Sequence, residues 1–154
     1  MIRRLVLAAL LLTVATPAEA QTYVMRHLDT PEGQRDPDLL PKGVATAERL
    51  VQWFRGKRLT AIYVTHFKRT AQTAGPLAAA RKLTPKLYDP ARTADLIATL
   101  RTERGPVLIV GHSNTVPDIV EQSGGTRPPA LTHPDFGDIW TIARGKTKRE
   151  RIAD

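Results

Sequence analysis

Three short stretches of the chain are apolar without interruption: Tyr23-Val24-Met25, Ala61-Ile62-Tyr63-Val64 and Val107-Leu108-Ile109-Val110. Continuous runs of this length, rich in β-branched residues, suit strands covered on both faces, whereas a strand with one wet face alternates. Pro85-Lys86-Leu87-Tyr88 and Ile139-Trp140-Thr141-Ile142 predict two further strands, and Arg144-Gly145 a turn into the polar stretch Lys146 to Arg151. Between the strands the period changes to that of a helix, with Val44, Ala47, Leu50, Val51 and Phe54, then Ala71, Ala74, Leu77 and Ala78, then Ala94, Ile97 and Leu100. After the Val107 run, Pro117 stands in a first helical turn. Ser113, Asn114 and Thr115 precede it as capping residues, Val116, Ile119 and Val120 continue the apolar face, and Gly124-Gly125 ends it.

Strands interleaved with helices predict an α/β fold, a three-layer α/β/α sandwich with a mainly parallel sheet and a ligand crevice beyond the carboxyl ends of the strands. Candidate chemistry is therefore expected just after each apolar run. No internal repeat, low-complexity linker or boundary interrupts residues 21–154, which read as one domain.

The first twenty residues follow a different pattern. Arg3 and Arg4 precede an apolar run from Leu5 to Leu12, and Pro17-Ala18-Glu19-Ala20 offers small residues at a cleavage point. That is the layout of a secretory leader, and the run falls short of the ~20 residues that cross a bilayer. The expectation is a signal peptide over residues 1–20, a mature domain over 21–154, and a periplasmic or secreted location with no stable membrane anchor after cleavage.

Composition narrows the chemistry. The 154 residues include 23 Lys+Arg against 15 Asp+Glu, a formal charge of +8, and no cysteine. The basic excess invites phosphate, polyanion or anionic-surface partners without choosing among them. The basic tail from Arg144 to Arg151 reads as a solvated edge strand protected by charge. Absence of cysteine excludes a disulfide scaffold, thiolate metal sites and a cysteine nucleophile. Aromatic residues make up 5% of the chain and no helix-turn-helix, RRM or zinc pattern is present, so nucleic acid is not an expected partner. Nucleotide-loop, dinucleotide, esterase-elbow and zincin motifs are also missing.

At the strand ends stand Arg26-His27, Thr65-His66-Phe67-Lys68-Arg69-Thr70 and Gly111-His112-Ser113-Asn114. Two histidines at the ends of different apolar strands, with arginines beside them, suit phosphoryl transfer. A neutral imidazole presents a lone pair that can attack phosphorus. Catalysis then depends on positioning and on donors aimed at the phosphoryl oxygens, which the planar arginine fork supplies while staying ionised. No metal or cofactor is required, because cationic side chains take its place. His66 and His133 singly read as structural; Thr65, Ser113 and Asn114 read as loop-stabilising or capping groups, and Trp53 and Trp140 as packing.

Tyr23 to Leu28 (YVMRHL), Tyr63 to Ala74 (YVTHFKRTAQTA) and Leu108 to Asn114 (LIVGHSN), with the Asp36-Pro37-x-Leu39 stretch and Gly43 at the start of the first helix, resemble the ordered signature of the histidine phosphatase superfamily, the phosphoglycerate mutase-like fold. The compact chain is similar to the small branch that includes the SixA-type phosphohistidine phosphatases, and its leader to periplasmic members. The resemblance implies that His27 is the phosphate-accepting nucleophile, that Arg26 and Arg69 bind the phosphoryl oxygens, and that His112 stabilises the transferring group. It also implies a carboxylic acid as proton donor to an ester leaving group. Asp89 is the best placed by position, with Asp95, Glu103 and Asp118 as alternatives. Two nearby arginines oppose the protonated form such a donor needs, so good leaving groups, phosphohistidine or acyl phosphate, gain plausibility. The short chain leaves little room for lid insertions that keep an intermediate from water, which favours hydrolysis over a mutase reaction.

One departure from the family stands at position 28, where leucine replaces the usual glycine after Arg-His. Such a side chain would be expected to narrow the pocket entrance. The rival expectation is therefore a catalytically weak or inactive anion-binding module of the same fold, its pocket closed by Leu28 and its basic surface docked on envelope polyanions. In the leading one, the partner is a small phosphorylated substrate, phosphomonoester or phosphoramidate, or a phosphorylated envelope component.

Overall fold

The computed structural model describes residues 21–133 and 135–152. The expected leader, residues 1–20, lies outside them. In chain order the elements are β1 (Thr22–Arg26), α1 (Pro41–Trp53), β2 (Ala61–Val64), α2 (Lys68–Arg81), β3 (Lys86–Leu87), α3 (Thr93–Leu100), β4 (Val107–Gly111), α4 (Val116–Gln122), β5 (Asp138–Ala143) and β6 (Lys146–Arg151). They form one six-stranded sheet in the order β3-β2-β4-β1-β5-β6. The first four positions of that order pair in parallel, and β5 and β6 add antiparallel strands at one edge.

The uninterrupted apolar runs have the cause the sequence implied. Tyr23 and Met25 of β1, Ile62 and Val64 of β2, and Leu108 and Val110 of β4 pack on one face with Leu50 of α1 and Ala74 and Leu77 of α2. Their neighbours Val24, Ala61, Tyr63, Val107 and Ile109 pack on the other with Leu96 of α3 and Val116, Ile119 and Val120 of α4. Period-two alternation thus feeds two cores, and the result is the three-layer sandwich. Each large aliphatic side chain withdrawn from water contributes about 1.5–3 kcal/mol.

The details differ where short helices meet the sheet. Val44 is half exposed, and α1 buries Gly43, Thr46, Ala47 and Leu50. Gly43 lies in the first turn of α1, where a Cβ would stand 2.7 Å from the carbonyl oxygen of Asp29. Ala71 and Ala94 face outward, their places taken by Thr70 and Thr73 in α2 and by Leu96 in α3. None of Ser113, Asn114 and Thr115 caps α4 through its side chain; the Thr115 hydroxyl instead accepts from the main-chain N–H of His112 at 3.0 Å. The basic β6 is an edge strand in which Arg149 and Arg151 pair with the buried Asp138 at 2.6 and 3.3 Å. Trp53 packs edge-on against Tyr23 and Trp140 is buried.

Candidate active site

Register brings the strand ends together. Arg26, the last residue of β1, sits opposite Gly111, the last of β4. The N–H of His27 donates to the Gly111 carbonyl at 2.9 Å, so His27 and His112 leave adjacent strands at the same height. Gly111 is required there: a Cβ would approach the Thr115 hydroxyl at 2.9 Å and the Tyr88 hydroxyl at 3.1 Å. The two rings lie 5.5 Å apart, centroid to centroid, inclined at 59°.

His27 is 5% exposed and His112 6%. Nδ1 of His27 lies 2.9 Å from the Leu28 carbonyl. A carbonyl only accepts, so Nδ1 carries the proton and Nε2 keeps a lone pair. Burial pushes the His27 imidazole down to about 3, helped by Arg26, His112 and Arg69 and opposed by the bond to Leu28. Burial, Arg69, Arg26 and His66 push His112 down to about 4, against Asp36. Both rings are therefore neutral at ordinary pH.

Arg26 is 7% exposed, its guanidinium 4.1 Å over the Phe136 ring and its Nη1 donating to the carbonyls of Thr132 at 2.8 Å and Asp135 at 3.3 Å. Its Nε is buried without a partner. Arg69, on the first turn of α2, lies 4.3 Å over Phe67, donates to the Arg35 carbonyl at 3.1 Å and to Nδ1 of His112 at 3.2 Å, and stands 3.6 Å from Asp36. Asp36 also accepts the N–H of Lys68 at 3.0 Å, one of the donors a helix start leaves open. Stacking over aromatic faces adds about 0.5–2 kcal/mol per guanidinium and fixes its plane.

Arg26, His27, Arg69 and His112 all line a cavity of about 470 Å³. Asp89 does not: its carboxylate accepts from the N–H of Ala91 at 2.9 Å and faces a separate groove with Tyr63 and Leu96, while its neighbours Pro90 and Ala91 reach the cavity. Glu103 is held by Lys86 and Tyr63, Asp95 by Arg92, and Asp118 by Arg127. Among the described residues lining the cavity, the one carboxylate is Glu32. Leu28 does not close the entrance. It is fully buried in the core with Leu50 and Leu77 and is absent from the cavity wall. The β1 end turns its side chain inward, and only its main chain serves His27.

Sequence reasoning missed several members of this cluster. Asp36 belongs to the stretch quoted above, but its contact with Arg69 crosses between distant segments. Phe67 and Phe136 are the faces beneath the two arginines. His133, read as structural, does hold the chain, donating to the Thr30 carbonyl at 3.0 Å, yet it also lines the cavity. Thr65 contacts Nε2 of His112 at 3.1 Å rather than a loop alone.

Residues 22–92 match the family model of the histidine phosphatase superfamily (branch 1). Among solved structures, the protein histidine phosphatase SixA complexed with tungstate superposes with a TM-score of 0.65 at 18% identity, over 84% of this chain and 94% of that one. Mycobacterial glucosyl-3-phosphoglycerate phosphatase with inorganic phosphate gives 0.67 at 14%, over 85% and 95%. The alpha-ribazole phosphatase from Shigella flexneri gives 0.66 at 14%, over 85% and 95%. These likenesses show the fold. A comparison with curated proteins finds no match.

Proposed function

From the match of residues 22–92 to the model of the histidine phosphatase superfamily (branch 1), we propose that this chain is an exported phosphatase that hydrolyses a phosphomonoester or phosphoramidate through a phosphohistidine on His27. The observation that carries the reading is the hydrogen bond from Nδ1 of His27 to the Leu28 carbonyl, which leaves the Nε2 lone pair in a cavity shared with Arg26, Arg69 and His112. Nε2 attacks phosphorus in line as the bond to the leaving group breaks, and the leaving group departs with the electron pair. Water then attacks the phosphohistidine, releasing inorganic phosphate and restoring the neutral ring.

Arg26 and Arg69 meet charge that the phosphoryl oxygens carry throughout, and their aromatic supports keep the donors in place before reaction. His112 faces His27 across the transferring group. Asp89 has no assigned part, since its carboxylate is engaged in its own turn. With Asp89 outside the cavity and Glu32 the one carboxylate among the described residues of its wall, substrates whose leaving group departs with little help from a proton donor fit best, phosphoramidates and acyl phosphates among them. The charge of the pocket and the leader support a small phosphorylated compound or a phosphorylated envelope component as partner, outside the cytoplasm. No metal or cofactor enters the proposed steps.

The test is a turnover screen of residues 21–154 with aryl, sugar, acyl and N-phosphorylated compounds, with His27→Ala as control. Turnover unaffected by EDTA and an acid-labile phosphate label on the wild type but not on His27→Ala are expected. A label retained by His27→Ala would place the nucleophile elsewhere.

A further inference from the structure

Nε2 of His112 is held from behind by two buried hydroxyls. It lies 3.1 Å from the Thr65 hydroxyl, which lies 3.1 Å from the Thr70 hydroxyl. Directions follow from what each group is able to do. An arginine only donates, so Arg69 requires a lone pair on Nδ1 of His112, and the ring proton must sit on Nε2. The Thr65 oxygen accepts that proton and the N–H of Phe67 at 3.3 Å. The Thr70 proton is turned toward the carbonyls of Phe67 at 2.9 Å and Thr65 at 3.1 Å, and its oxygen accepts the N–H of Thr65 at 3.1 Å. The Thr65 proton therefore points to Thr70, and the chain runs one way, from imidazole to main chain.

An oxyanion in the cavity changes the demand on the other nitrogen. Its oxygens only accept, so Arg69 must turn its N–H from Nδ1 of His112 to the anion, and Nδ1 must gain a proton to bind that anion. Moving the ring proton from Nε2 to Nδ1 would turn the Thr65 hydroxyl toward Nε2 and leave the Thr65 and Thr70 oxygens facing each other at 3.1 Å with no proton between them, unless Thr70 also gave up the carbonyls it serves. Adding a proton leaves the buried chain intact.

We propose that Thr65, backed by Thr70, is a positioning residue that fixes a proton on Nε2 of His112, so that His112 meets a bound tetrahedral dianion as an imidazolium and anion binding takes up one proton. The inference rests on the reading of this cavity as a phosphoryl site and adds to it how His112 is charged. Arg26 from β1, His27 just after it, Arg69 from α2 and His66 from the β2–α2 turn surround the ring with positive or neutral groups, and Asp36 alone opposes them. A dianion reverses that balance and stabilises the charged ring.

Sulfate is the probe, because it does not titrate near neutrality. Calorimetry in two buffers of different ionisation enthalpy counts the protons taken up, and 15N NMR reports both nitrogens of His112. The expected result is nearly one proton per sulfate, affinity falling about tenfold per pH unit between pH 6 and 8, and both nitrogens protonated in the complex. Thr65→Ser keeps this behaviour. Thr65→Val removes the acceptor for Nε2–H, so His112 binds sulfate as the neutral Nδ1–H form with no proton uptake. Wild-type binding without uptake, uptake on His27 instead, or full uptake by Thr65→Val overturns the inference while leaving the phosphatase reading intact. Absence of sulfate binding together with absence of a label on His27 overturns both.

Discussion

His27 is oriented by the main chain of Leu28, whose carbonyl accepts its Nδ1–H at 2.9 Å, while the Leu28 side chain points away into the core and is fully buried. The same residue aims the His27 ring, the proposed nucleophile, and anchors the strand end, and the Leu28 N–H donates to the Thr73 hydroxyl of α2 at 2.9 Å to hold that turn. The leucine that stands where the resemblance leads one to expect glycine therefore belongs to packing, not to the entrance.

Leu28→Gly is accordingly a stability variant. Losing a buried leucine side chain costs about 2–5 kcal/mol, and the added backbone freedom about 0.5–1 kcal/mol more. Denaturant unfolding of Leu28→Gly is expected to show a midpoint lowered to match, with KM for an aryl phosphate within about twofold of the wild type at temperatures where it stays folded. A fall in KM without loss of stability would return Leu28 to the pocket entrance.

Arg69 touches the Arg35 carbonyl, His112 and Asp36 at once, which a lysine cannot reproduce because it lacks the planar fork. Removing one such donor from a phosphoryl site costs about 100-fold in kcat. Arg69→Lys should lower kcat by that order and raise KM as well, since the grip acts in both ground and transition states. Steady-state kinetics with an aryl phosphate reads both constants.

Most of the fold was legible because buried parallel strands need unbroken apolar runs, and β1, β2 and β4 have them. The short β3, with both residues exposed, was readable only from its position between two helical patterns. That Arg26, His27, Arg69 and His112 would stand together on one cavity wall could be read in advance because the fold places its crevice at strand ends. Asp36, Thr65, Phe67 and Phe136 could not be assigned their parts. Their roles lie in contacts between distant segments, and an acid, a hydroxyl or a phenyl ring in a loop carries no periodicity to reveal its partner. Asp89 shows the opposite failure: its position after β3 is right for a cavity residue, yet the turn it starts directs the carboxylate to the N–H of Ala91.

Asp89→Asn tests that placement. Asparagine keeps an oxygen that accepts from Ala91 and cannot donate a carboxylic proton. With Asp89 outside the cavity, kcat for a poor leaving group such as an alkyl phosphate is expected within about twofold of the wild type, against the 100-fold or greater loss typical of removing a general acid. The ratio of alkyl to aryl phosphate turnover distinguishes the two outcomes without dependence on expression level.

The two buried histidines also set a pH dependence of stability. Each is neutral in the folded protein down to about 3 for His27 and about 4 for His112, whereas an unfolded chain protonates histidine near 6.5. Between those limits the unfolded state binds more protons, so stability is unaffected above pH 6.5 and falls as pH drops below it. The slope approaches about 1.4 kcal/mol per pH unit for each histidine near pH 5. Urea unfolding at pH 7 and pH 5 should show the loss in the wild type and a shallower one in His27→Gln, His112→Gln. An equal loss in both would mean that other groups carry the acid sensitivity, and that these rings gain their protons without opening the fold.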